Sequence, residues 1–204
     1  MSETVVLRPV MGKILVIATL AVVIVCLVAL LAQDDRGLTL RYGVVLATSA
    51  YLVWLLFWAP SVTVSDGGIR LRNVWRSIEL PWPAIESIDT RFALTLHTSY
   101  GRFVAWAAPA SGRHRVITTS RADLKNLPET SYSAGTVGLG DVPRSDSGDA
   151  AAVVRHRWEQ LRDSGYLDNA RLDPELAPVR WHRAHLSAFA ALTALSVLAV
   201  SLGR

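Results

Sequence analysis

Cysteine is almost missing from this chain: Cys26 is the single one in 204 residues. It cannot close an internal disulfide, so nothing points to an oxidising compartment. A lipid attached there is disfavoured by Val25, where a lipobox requires a small residue. Lysine is nearly missing too, with two against nineteen arginines, a bias of GC-rich coding rather than a physical device. There is no G-x-S-x-G, no H-E-x-x-H and no cysteine nucleophile, which argues against the hydrolase, metalloprotease and thiol-enzyme classes. Gly135, Gly138 and Gly140 form no G-x-G-x-x-G and have no P-loop lysine, so nucleotide binding is not expected. His182 and His185 are two ligands where zinc requires three or four, and Arg180 and Arg183 beside them repel a cation. No catalytic residue, metal or cofactor is expected.

The conspicuous presence is hydrophobic. Three apolar stretches, residues 14–32, 38–59 (interrupted by Arg41) and 186–202, bracket one segment of ordinary globular composition. A spanning helix needs about 20 predominantly apolar residues. The first stretch has no charge and is longer than a signal h-region, and residues 29–32 lack a small-x-small cleavage pattern, which favours a retained span. The second is uninterrupted from Tyr42, has Trp54, Phe57 and Trp58 at its end, and is stopped by Pro60; such aromatics suit a membrane interface. The third is short. Its Ser187, Ala190, Ala191 and Ala194 place small side chains on one face, as close helix packing in a membrane requires.

Charge sets the expected direction. Arg8 and Lys13 precede the first stretch, the 33–41 connector is balanced, and Arg70, Arg72 and Arg76 follow the second. Arg180 and Arg183 precede the third. By the positive-inside rule the chain is a multi-pass plasma-membrane protein with a cytoplasmic N-terminus (1–13) and spans at 14–32, 42–60 and 186–202. An external 33–41 loop, a cytoplasmic soluble domain (61–167) and a juxtamembrane linker (168–185) complete it. The soluble part is itself asymmetric. Residues 61–121 hold eight basic and four acidic side chains, a net +4, and residues 122–178 hold six and ten, a net −4. A basic half beside a bilayer fits anionic headgroups. Nucleic acid is not an expected partner, because the arginines are interleaved with acids.

From Val62 the hydrophobic period becomes two. Val62 and Val64, Ile69 and Leu71, Ile78 and Leu80, then Phe92, Leu94 and Leu96 alternate with polar neighbours. Asp66-Gly67-Gly68 and Tyr100-Gly101 are turn signals, Ile85 and Ile88 follow a Pro-Trp-Pro break, and 103–107 is a last strand. Five or six short strands with close turns predict a small antiparallel barrel or sandwich. Trp82 is assigned to packing, and Trp106 could face either side. Glu79, Glu86 and Asp89 are expected outward and solvated. Residues 122–127 suggest a short helix, and 129–148 a flexible loop. A helix from an Asp149 N-cap to Gly165 is expected, with Val154, Trp158 and Leu161 inward and Arg155, Glu159 and Arg162 outward.

Strands closed by one amphipathic helix outline a pleckstrin-homology (PH) domain. The run 62–73 (VTVSDGGIRLRN), the spacing Pro81-Trp82, Ile85, Ile88, and Arg157-Trp158-Glu159 resemble the bacterial PH-like membrane proteins of actinobacteria, in particular the low-molecular-weight-antigen PH group. The resemblance covers residues 62–167 and the two preceding spans. It implies an α+β chain: a PH-like antiparallel barrel or sandwich capped by a C-terminal helix, plus three transmembrane helices. It says little of activity. Eukaryotic PH domains grip phosphoinositides with a basic first hairpin loop, whereas the 65–68 loop here is acidic. The next turn, Arg72-Asn73-Val74-Trp75-Arg76, places an aromatic between cations, which suits a membrane interface. Arg70, Arg72, Trp75, Arg76, Arg180 and Arg183 are therefore the expected contacts with membrane or partner. The expected role is a scaffolding module that binds a membrane or cytoplasmic protein, an accessory subunit of an envelope complex being one form. The alternative is a sensor of anionic lipid.

Overall fold

The computed structural model describes residues 4–109, 132–133, 136–137, 146–167 and 179–202. It forms two compact units: Met1–Pro9 with Pro60–Arg180, and Val10–Ala59 with Trp181–Arg204.

The first unit is built on antiparallel strands. β2 (Ser61–Ser65), β3 (Gly68–Arg72) and β4 (Arg76–Leu80) form a meander, and β5 (Ile85–Asp89), β6 (Ala93–Thr98) and β7 (Gly101–Pro109) form a second sheet. Four of the described strands lie outside the expected set. β1 (Val5–Leu7) joins the edge of β2, pairing Val5 with Val64 and Leu7 with Val62. A three-residue strand late in the chain, called β10 here, is Val179–Trp181 and lies beside β4, giving the sheet order β1-β2-β3-β4-β10. Between them, β8 (Tyr132–Ser133) and β9 (Thr136–Val137) form a small hairpin inside the expected loop. The 122–127 helix and most of that loop lie outside the described residues.

Alternation builds the core. Val62, Val64, Ile69, Leu71, Ile78, Leu80, Leu94 and Leu96 are buried; their neighbours on β3 and β4 are more exposed, whereas Ser61 and Thr95 are buried as well. Phe92 breaks the expected pattern: it lies before β6 and is 77% exposed. Trp82, in a 3-10 turn (Trp82–Ala84) framed by prolines, is fully buried, and its Nε1–H donates to the Ser65 carbonyl at 2.9 Å. An indole can be buried cheaply only when that N–H finds an acceptor.

Helix α3 (Asp146–Asp163) closes the unit. It begins three residues before the expected N-cap, so Asp149 lies within it. Ala150, Ala151 and Val154 enter the core, with Trp158 and Leu161 packed against it. Gly165 (φ +72°) ends the helix, with the Gly165 amide bonded to the Arg162 carbonyl at 2.9 Å and that of Tyr166 to Leu161 at 3.1 Å. Arg155 corrects the expected face: it is buried, and its Nη2 donates to the Ile88 carbonyl at 3.3 Å.

The second unit holds three helices long and apolar enough to cross a membrane: α1 (Val10–Leu31), α2 (Arg36–Phe57) and α4 (Arg183–Ser201). Each begins earlier than its expected apolar run, α1 at Val10, α2 at Arg36 and α4 at Arg183. Asp34 (φ +51°) and Asp35 form the α1–α2 turn, and Asp35 caps α2 by accepting the Leu38 amide at 3.0 Å. The packed face of α1 is Gly12, Val16, Thr19, Val23, Cys26 and Leu30. Its alternating steps of four and three are those of a left-handed helix pair. α2 packs against both α1 and α4. On α4 the packed residues are His185, Ala188, Phe189, Leu192, Ser196 and Ala199. The expected small-residue face is therefore not the one used: Ser187, Ala190, Ala191 and Ala194 are exposed. A polar node takes its place, with the Thr48 and Ser196 hydroxyls 2.8 Å apart.

Candidate functional site

Antiparallel register divides the five-stranded sheet into two ends. Ser61 pairs with Arg72, Arg72 with Ser77, and Leu7 with Val62. The β3–β4 turn, the last residue of β1 and the first of β2 thus lie at one end. At this end the chain also leaves the sheet for α1, through Arg8 and Pro9, and enters it from α2, through Pro60. The opposite end carries the start of β1, the β2–β3 turn and the end of β4, since Ser65 pairs with Gly68 and Ile69 with Leu80.

The end with the chain exits is cationic. Arg72 is half-buried and faces outward from β3, since Leu71 beside it is in the core. Arg8 and Arg180 are exposed. Trp75 and Arg76 are half-buried in a turn closed by the Asn73 amide on the Arg76 carbonyl, 2.9 Å. That turn is also tied to the other sheet. The Asn73 side chain donates to the Val104 carbonyl at 2.8 Å and accepts the Trp106 amide at 2.9 Å, pairing with β7 as a peptide group would. Nothing in residue type or spacing marked Asn73. Arg70 stands one row further in, in an exposed ion pair with Glu79 at 2.8 Å, so of the three outward acids Glu79 is paired. Asp89 accepts the Arg91 amide at 2.9 Å, and Glu86 is exposed. Arg183 belongs to the other unit as the first, exposed residue of α4. The register therefore gathers Arg72, Trp75 and Arg76 at this end, adds Arg8, and sets Arg70 apart, while Arg180 lies on β10 beside β4.

The far end has a different chemistry. Asp66 in the β2–β3 turn is ion-paired with Arg157 of α3, which ties the turn to the helix. A groove of about 520 Å³ opens there, lined by Thr4, Thr63, Ser65, Arg70, Glu79 and Pro81 among others. Gly68 is obligatory at its floor, because a Cβ would stand 2.3 Å from the Leu80 carbonyl oxygen.

Both edges of the three-stranded sheet are occupied by side chains. Asn73 covers β7. Trp158 Nε1–H on the Ile85 carbonyl, 3.1 Å, and Arg155 on Ile88 cover β5. On the outer face of β7, Val104 is 43% and Trp106 53% exposed.

His182 and His185 form no metal centre among the described residues. His185 Nδ1 is 3.0 Å from the Tyr51 hydroxyl, and its ring meets Trp54 edge-on, 5.7 Å between centroids. It is an aromatic and hydrogen-bonded joint between α2 and α4.

Residues 59–137 match the family model described as a bacterial PH domain. The matched segment takes in β2 to β9, and the closing helix and two-sheet architecture complete a PH-like unit around it. No curated protein and no solved structure matches the chain.

Proposed function

We propose that the chain is a multi-pass plasma-membrane protein whose PH-like unit docks a protein partner on the cytoplasmic face, as an accessory subunit of an envelope or membrane complex. The carrying observation is the outer face of β7. Val104 and Trp106 are 43% and 53% exposed there, beside the exposed Arg102. Tryptophan and arginine are the side chains that most often anchor protein interfaces. The reading gives the chain no catalytic role and no cofactor. The pairing of β1 with β2 supports the membrane arrangement: residues before α1 and after α2 share one sheet, so the two helices would cross as a hairpin.

The test is affinity capture of the full chain from native membranes in mild detergent at high salt. A partner retained by the unaltered chain and lost with Trp106→Ala plus Val104→Ser supports the reading. An identical captured set, with the variant folded, overturns it. The alternative role as a lipid sensor has its own support in the cationic end of the sheet.

A further inference from the structure

We infer that the end of the five-stranded sheet bearing Arg8 and Arg72, together with Arg180 of β10, is a binding surface for anionic phospholipid headgroups, distinct from the β2–β3 turn. It does not depend on the protein-docking reading above. Three observations carry it.

The first is placement. Arg8 follows β1, Arg72 ends β3 and Arg180 sits in β10, which are the first, third and fifth strands in sheet order. Neighbouring strands lie about 4.8 Å apart, so Arg8 and Arg72, level with each other through the Leu7–Val62 and Ser61–Arg72 pairs, stand two strands and about 10 Å apart across the sheet. Ser77, a register partner of Arg72, lies in the same row. Trp75 and Arg76 adjoin it in the turn.

The second is charge. Among the described residues no carboxylate pairs with Arg8, Arg72 or Arg180. The nearest outward acid of the sheet, Glu79, is paired with Arg70 in the next row. Asp66 lies at the other end, engaged by Arg157. The row therefore presents positive charge to which a phosphate is complementary, and guanidinium is the group best suited to grip one.

The third is chain connectivity. One residue, Pro9, separates Arg8 from the first residue of α1, and three separate Phe57, the last of α2, from Ser61. Two separate Arg180 from Arg183 of α4. A source of phosphate supplied with the helices themselves is the headgroup layer. The β2–β3 turn meets neither condition: it holds an acid, and it lies at the end of the sheet away from the exits.

The experiment is hydrogen exchange on the full chain in nanodiscs of phosphatidylcholine alone and in discs with about a third phosphatidylglycerol. The amides of residues 72–77 are expected to exchange about fivefold more slowly for each headgroup engaged in the anionic discs. Those of 65–68 should not change. The slowing should vanish with Arg8→Gln, Arg72→Gln and Arg180→Gln combined, persist with the three lysine replacements, and fade in high salt. Equal exchange of the unaltered chain in the two lipids overturns the inference, and needs no variant to fold. So does protection that moves to residues 65–68. Slowing that survives the glutamine variant, whose β6 amides report an intact core, assigns it to other residues and also overturns the inference.

Discussion

Two adjacent glycines show how differently one residue type can be constrained. A Cβ at Gly67 meets nothing within 4 Å, whereas one at Gly68 would collide with the Leu80 carbonyl on a backbone with φ +151°. Gly68→Ala should destabilise the PH-like unit by about 2–3 kcal/mol, and Gly67→Ala should change it by less than about 0.5 kcal/mol. Thermal unfolding of the purified chain separates the two. The sequence marks both as a turn and cannot rank them, because the collision comes from a strand twelve residues away. Asn73 is a similar case. Asn73→Ala removes both hydrogen bonds to β7 and should cost about 1–2 kcal/mol, with faster exchange of the Trp106 amide. Asn73→Asp keeps the acceptor, so that amide should stay protected while stability still falls.

At the scale of elements, β2 to β7 were legible because each carries a period-two pattern between turn signals. β1 and β10 were not, since three residues are too few for a period to show. β5 was legible only in part: its register shifts between Ile85 and Ser87, which is why Ile85 and Ile88, three apart, both reach the core. Arg155 was misplaced for another reason. A helical wheel assigns charge outward, but a long side chain beside Val154 can reach the open carbonyl of an edge strand. The helical unit repeats the lesson. Small residues on α4 suggested its packing face, yet the hydroxyls of Thr48 and Ser196 and the His185–Tyr51 bond lie at the helix contact. Between apolar helices in lipid the hydrophobic effect does not select a face, so van der Waals fit and polar partners decide. Thr48→Val and Ser196→Ala should show a coupling of about 0.6 kcal/mol in a double-mutant cycle, read from unfolding of the helical unit in detergent.

At the scale of the whole molecule, the parity of the strand partners makes a prediction that charge counting alone could only suggest. β1 precedes two apolar helices and β2 follows them, yet they are hydrogen-bonded neighbours. Tags placed before Val5 and in the β2–β3 turn should therefore be reached by a membrane-impermeant reagent from the same side, and a tag after Ser201 from the other side. Labelling of all three tags from one side would refute the three-span arrangement. The cationic end of the sheet was half legible. The arginines were visible in sequence, but their sorting into a shared row, with Arg8 included and Arg70 set apart, needed the register.

The strand that ties the two ends of the helical hairpin also sets an order of events. Leu7 is synthesised long before Val62, its partner, and both helices emerge between them. A ribosome adds about 5–20 residues per second, so β1 waits some seconds without its neighbour. In the proposed membrane arrangement, the sheet edge closes only after both helices have been made and the chain has returned to the side it started from. In that arrangement completion of the PH-like unit records that insertion has succeeded, and a chain that inserts wrongly keeps the outer edge of β2 uncovered.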